Sequence, residues 1–207
     1  MFTRLNTILL PDKNFTNKIL KTALSITKGK ETEFVVDNKN YFVHLTIYSP
    51  EYPTKNIEKV IEEVKNYSKN IHPYTLSIKQ FIEGEGFVMI DFDESIKMKS
   101  VHKQFIQSLS PLREGRIRDK YKAEIEAGKY PPKQIRLINQ YGYHNVEKYY
   151  EPHLSICKFS KRELALGEVN KLNSDFKCEE IVIQSLAVAE MGPNGTCTKI
   201  LKCFDLK

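Results

Sequence analysis

The alternation of apolar and polar positions divides this chain into short strands and amphipathic helices in mixed order. Thr3–Leu10 reads as a strand that stops at Pro11-Asp12, with Arg4 and Asn6 interrupting an otherwise apolar run. Phe15–Thr27 carries Phe15, Ile19, Leu20, Ala23, Leu24 and Ile26 at helical spacing and ends near Gly29. Glu33–Asp37 and Tyr41–Tyr48 flank Asn38-Lys39-Asn40, which predicts a β-hairpin. Pro53 opens a helix through Tyr67, with Ile57, Val60, Ile61 and Val64 on one face. Tyr74–Ile82 and Phe87–Phe92 predict a second hairpin around Glu83-Gly84-Glu85-Gly86, and Ile96–Leu109 is helical again. Toward the C-terminus, Pro152–Phe159 predicts a strand and Lys161–Leu172 a helix. Cys178–Glu190 and Cys197–Asp205 predict two more strands, joined by Gly192-Pro193-Asn194-Gly195. This order of elements predicts an α+β fold.

Within the pattern one tetrapeptide nearly repeats: His44-Leu45-Thr46-Ile47 returns as His153-Leu154-Ser155-Ile156. Side chains alternate along a strand, so His44 and Thr46 share one face and His153 and Ser155 share another. Val43, Leu45 and Ile47, like Leu154 and Ile156, then point into the core. Each copy presents an imidazole beside a hydroxyl on a rigid support. Two such pairs facing each other supply a general base, a general acid and two hydrogen-bond donors for a phosphate. Five histidines, twelve serines and eleven threonines in 207 residues give about 0.6 accidental His-x-Ser/Thr matches. One copy alone would therefore carry nothing; the matching apolar flanks and strand context of both copies carry the reading.

The chain resembles the 2H phosphoesterase superfamily, the LigT-like or 2′,5′-RNA-ligase-like fold, whose mark is two His-x-Thr/Ser motifs, one in each lobe of a duplicated domain. The resemblance implies a two-lobed α+β domain in which two antiparallel sheets form a central cleft flanked by helices. Lobe 1 would span approximately 12–110 and lobe 2 approximately 151–207 together with the N-terminal strand. Residues 111–150 would form an insertion ahead of the second motif. The implied activity is metal-independent phosphodiester cleavage, with His44 and His153 as general acid and base and Thr46 and Ser155 binding the phosphate. Which histidine takes which role stays open at this level.

Composition narrows the ligand. A formal charge of +6 and a pI of about 9.0 favour an anionic partner. The expected substrate is a nucleotide or RNA with a cyclic phosphate or a 2′,5′ or 3′,5′ phosphodiester bond. The alternatives are a small phosphorylated sugar, or a non-catalytic 2H module that binds RNA or nucleotides. Tyr48, two residues beyond Thr46, is a candidate to stack on a base or reach a phosphate. Arg113, Arg116 and Arg118 are candidates for further phosphates, against the competing reading of a solvated charge run. Tyr141 and Tyr143 are candidates to close over the ligand, against packing of the insertion. His72, His102 and His144 read as surface or packing residues, and Glu83-Gly84-Glu85-Gly86 as a turn.

Cys157, Cys178, Cys197 and Cys203 form no Cys-x-x-Cys pair, so no metal site is expected, and cysteines in predicted strands read as buried thiols. No cofactor is expected either. The lack of a signal peptide or a membrane-length apolar run leads us to expect a cytoplasmic monomer.

Overall fold

The computed structural model describes all residues from Met1 to Lys207. In chain order its elements are β1 (Phe2–Pro11), α1 (Lys13–Thr27), β2 (Thr32–Val35), β3 (Leu45–Tyr48), β4 (Glu51–Pro53), α2 (Ile57–Ser68), β5 (Tyr74–Gly84) and β6 (Phe87–Phe92). They continue with α3 (Ile96–Leu109), α4 (Asp119–Glu126), α5 (Pro132–Tyr141), β7 (His153–Phe159), α6 (Arg162–Asp175), β8 (Glu180–Met191) and β9 (Cys197–Asp205). Helix starts follow local chemistry. The Asp12 carboxylate accepts from the N–H groups of Asn14 and Phe15 at 2.8 and 3.0 Å. The Ser95 hydroxyl accepts from Met98 N–H at 3.2 Å.

The strands join antiparallel in the order β2-β7-β6-β5-β8-β1-β3, with β4 added on β1 and β9 on β8. Strand β5 is the joint. Tyr74–Ser77 pairs with β8 and Ile78–Gly84 pairs with β6, with a register break between Ile78 and Gln80. Such a break bends a strand and increases its twist. The result is two half-sheets that share β5. β3 and β7 lie far apart in strand order, yet they meet across the cleft between the halves. The expected α+β architecture with antiparallel sheets is therefore the observed one.

Two expectations about pairing change. β2 and β3 do not form a hairpin, although the chain turns where expected: the N–H groups of Asp37 and Asn38 donate to Tyr41 O at 3.0 Å. Asn38 takes a positive φ of 53° there and the arms diverge, β2 onto β7 and β3 onto β1. Pairing also does not follow the division into 12–110 and 151–207. β3, with the first motif, joins β1, β8 and β9, while β7, with the second, joins β2, β6 and β5. β3 pairs with β1 alone, and β7 pairs with β2 and β6.

Helices α1 and α6 cover the β7 half, and α2 and α3 cover the β3 half. Forty-four buried residues form one continuous core, which includes Val43, Leu45, Ile47, Leu154 and Ile156. Residues 111–150 are part of it, since Tyr121, Ile138, Val146 and Tyr150 all bury there. The Tyr150 hydroxyl donates to Thr46 O at 3.0 Å, tying this segment to the first motif. Cys157 and Cys197 are buried as expected of strand thiols; Cys203, on the outer strand β9, is exposed, as is Cys178. No helix is long and apolar enough to cross a membrane.

Candidate active site

A cavity of about 370 Å³ lies between the half-sheets, and His44, Thr46, His153 and Ser155 all line it. The two motifs, more than a hundred residues apart in the chain, thus meet in one cleft.

Both imidazoles are set by the same local device. His44 Nδ1 lies 2.8 Å from Phe42 O, and His153 Nδ1 lies 3.0 Å from Glu151 O, in each case the carbonyl two residues earlier. A carbonyl only accepts, so Nδ1 carries the proton in both rings. Each Nε2 is then the nitrogen left for the cavity, as a base when neutral and as a donor when protonated. Nothing in the sequence pattern signals this second fixed contact.

The environments of the two rings differ. His44 precedes β3 and is only 9% exposed. Burial, partly offset by the bond to Phe42 and reinforced by the nearby His153 charge, lowers its pKa to about 4. His44 is therefore neutral at pH 7. His153 opens β7 and is half-buried, at the border with a neighbouring hollow lined by Asp91, Asp93, Glu94 and Glu151.

The hydroxyls differ likewise. Asn6, fully buried on β1, donates from Nδ2 to Thr46 Oγ1 at 2.9 Å. That bond occupies a lone pair of Thr46 and leaves its O–H to donate elsewhere. Ser155 is half-buried and faces Met89 across the β6–β7 pair, and both line the cavity.

The remaining candidates divide. Tyr143 is buried with one face on the cavity. Gly142 makes this possible: it ends α5 at φ +69°, and a Cβ there would lie 2.9 Å from Arg116 O and 3.0 Å from the Arg113 side chain. Tyr141, on the other side of that turn, faces away, its hydroxyl donating to Glu147 Oε1 at 3.1 Å. Tyr48 is fully buried and its hydroxyl donates to Tyr141 O. The expected alternation fails because Ile8 pairs with Thr46 and Thr7 with Tyr48, a bulge that inserts one extra residue into β3. Arg113 is 4% exposed and donates to the carbonyls of Arg116, Asn139 and Gln140, so it braces the end of α5 and does not reach the cavity. Arg116 is held by Glu51 at 2.8 Å and Asp119 at 3.0 Å, also outside it.

His144, read from sequence as a packing residue, lines the cavity instead, with Nδ1 2.8 Å from the Tyr121 hydroxyl. Arg4 lines it too. Arg4 and Asn6 stand at i and i+2 on one face of an apolar strand, and that polar pair in a buried run was the signal for both. His102 is a packing residue as expected. It stacks on Tyr150 at 3.7 Å, its Nδ1 is 2.9 Å from Ile47 O, and its Nε2 accepts from Glu147 N–H at 3.2 Å.

The chain has the fold of E. coli LigT, the LigT-like fold expected from the two motifs. Among solved structures, TT0787 of Thermus thermophilus matches at a TM-score of 0.57 and 12% identity, over 98% of this chain and 97% of that one. E. coli LigT complexed with 3′-AMP matches at 0.57 and 9% identity, over 100% of this chain and 99% of that one. LigT complexed with phosphate matches at 0.50 and 10% identity, over 100% and 98%. No family model matches the chain, and no curated protein matches it by sequence.

Proposed function

We propose that the chain is a 2H phosphodiesterase that cleaves a cyclic phosphate, or a 2′,5′ or 3′,5′ phosphodiester bond, in a nucleotide or RNA without a metal ion. One observation carries the reading: two His-x-Thr/Ser pairs line one cavity, each with Nδ1 held by a backbone carbonyl. Phosphodiester cleavage needs a proton acceptor, a proton donor and hydrogen bonds to the phosphoryl oxygens, and these residues supply all three. The LigT complexes with 3′-AMP, NADP⁺, ATP and phosphate support a nucleotide or phosphate ligand for a cleft of this shape.

The difference in burial supports a division of roles. His44, neutral at pH 7, takes the proton from the attacking water through Nε2 as its oxygen bonds to phosphorus. His153 Nε2–H gives a proton to the departing ribose oxygen as the P–O bond breaks. The Thr46 and Ser155 hydroxyls donate to the non-bridging oxygens. One cycle leaves His44 protonated and His153 neutral, and exchange with solvent at the half-exposed His153 side restores both.

The test is turnover in EDTA of a panel comprising nucleoside 2′,3′-cyclic phosphates, 2′,5′-linked oligoadenylate, cyclic di- and trinucleotides and short RNA. His44→Ala and His153→Ala are each expected to remove turnover of whichever member is cleaved. Tight binding of one member with no turnover by the wild type would replace the enzyme with a binding module.

A further inference from the structure

The cavity lining holds one arginine, Arg4, and one carboxylate, Glu85. Arg4 lies two residues before Asn6 on β1, hence on the same face and about 7 Å along the strand. Asn6 is the residue that holds the Thr46 hydroxyl. Arg4 lines the cavity with Tyr143 and His144, and its buried Nε has no hydrogen-bond partner. Behind it stands Arg118, 15% exposed on its side chain, with its guanidinium 5.1 Å from the Tyr121 ring. Arg118 Nε is also buried without a hydrogen bond and lies 3.8 Å from Glu51. Glu51 makes its close bond, 2.8 Å, to Arg116. Burial and the adjoining Arg118 charge both lower the pKa of Arg4. Two guanidiniums withdrawn from water with so little counter-charge are costly to keep, and an anionic ligand offsets that cost.

The opposite end repels anions. Beyond His153 the hollow holds Asp91, Asp93, Glu94 and Glu151. Its two lysines are already paired, Lys79 to Asp91 at 3.5 Å and Lys99 to Glu94 at 2.9 Å. A substrate with more than one phosphate is therefore oriented with its extra charge toward Arg4.

We propose that Arg4, backed by Arg118, is an anion subsite for a second phosphate of the substrate, about one strand repeat from the phosphate that reacts. The inference rests on the two-histidine reading of the cavity. It makes the preferred substrate a phosphodiester that carries an additional phosphate, and a lone nucleoside 2′,3′-cyclic phosphate a poor one. The additional group is either a terminal 5′-phosphate or the next internal phosphodiester.

The experiment compares kcat/KM for adenosine 2′,3′-cyclic phosphate, its 5′-phosphorylated form, and the ApA dinucleotide ending in a 2′,3′-cyclic phosphate. Wild type, Arg4→Gln and Arg4→Lys are run together. The wild type is expected to favour one or both of the phosphate-bearing substrates by roughly 10–100-fold, the strength of charge-assisted hydrogen bonds. The favoured one identifies the source of the second phosphate. Arg4→Gln is expected to bring that ratio close to one, and Arg4→Lys, which keeps the charge, to retain part of it. An unchanged ratio in Arg4→Gln, or no preference in the wild type, would overturn the subsite. Calorimetry of 5′-AMP against adenosine on the same proteins separates this from the function itself. A preference for 5′-AMP that Arg4→Gln removes, with no turnover of any substrate, would keep the subsite and discard the phosphodiesterase. Equal binding of the two ligands would discard the subsite.

Discussion

The two walls of the cleft carry nearly the same tetrapeptide and the same imidazole-to-carbonyl bond, yet they are built to different degrees of closure. On the first wall His44 is buried, Asn6 holds the hydroxyl of Thr46, Tyr150 holds the Thr46 carbonyl, and His102 reaches the next one, Ile47 O. On the second wall His153 and Ser155 are half-buried, and the flank is acidic. The two motifs thus present the same atoms to the cavity, whereas the surrounding packing sets how far each is withdrawn from water. On the proposed reading that difference makes His44 the base, because dry surroundings disfavour a charged imidazole.

The comparison breaks most severely at the imidazoles. His44→Ala and His153→Ala are each expected to lower kcat/KM on a 2′,3′-cyclic phosphate by about 10²–10⁴-fold, measured in EDTA. The hydroxyls come next and sharpen the contrast. Thr46→Val is expected to cost about 10²-fold, as for a preset donor to a developing charge. Ser155→Ala is expected to cost about tenfold, as for a donor that must first be ordered. Asn6→Ala would follow Thr46→Val in direction, lowering kcat with little change in KM, since Asn6 touches the hydroxyl and not the substrate. Equal losses at Thr46 and Ser155 would show that the extra bracing of the first wall has no catalytic consequence.

The smallest effect is on stability. His44 and His102 are both held neutral by burial, their pKa values lowered to about 4, with the backbone bonds to Phe42 and Ile47 opposing the shift. In the unfolded chain each returns to about 6.5. Between pH 6.5 and 4 the unfolded state thus binds more protons, so stability falls as pH falls through that window and these two groups add no further loss below it. The unfolding free energy from urea titrations, and with it the midpoint, is expected to drop between pH 7 and 4.5, by an amount on the order of a few kcal/mol. A midpoint that stays flat over this range would show that neither ring is held neutral.

Much of this molecule was legible in its sequence because the informative signals are local. Periodicity located α1, α3 and α6, the β5–β6 hairpin and the closing strands, and spacing alone placed the four motif residues. What escaped depends on contacts distant in the chain. The turn at Asn38 is visible in the sequence, but nothing local says that its arms join different half-sheets. The bulge that turns Tyr48 into the core arises from the register of β3 on β1. Arg113 and Arg116 look like a phosphate-binding run until their partners, carbonyls at the end of α5 and the carboxylate of Glu51, are brought to them by folding. Arg4 was overlooked for the converse reason: one charge in an apolar strand reads as an interruption until the cavity beside it is seen.

The central claim is that burial makes His44 the base and leaves His153 as the acid. A leaving group that needs no proton tests it most directly. Wild type, His44→Ala and His153→Ala would be assayed in EDTA on a nucleoside 2′,3′-cyclic phosphate and on the matching 2′-deoxynucleoside 3′-(4-nitrophenyl) phosphate, which has no 2′-hydroxyl and so leaves water as the nucleophile in both. Both variants are predicted to fail on the cyclic phosphate, while His153→Ala recovers most of its activity on the nitrophenyl ester and His44→Ala does not. Recovery by His44→Ala with continued failure of His153→Ala would reverse the roles and contradict the account.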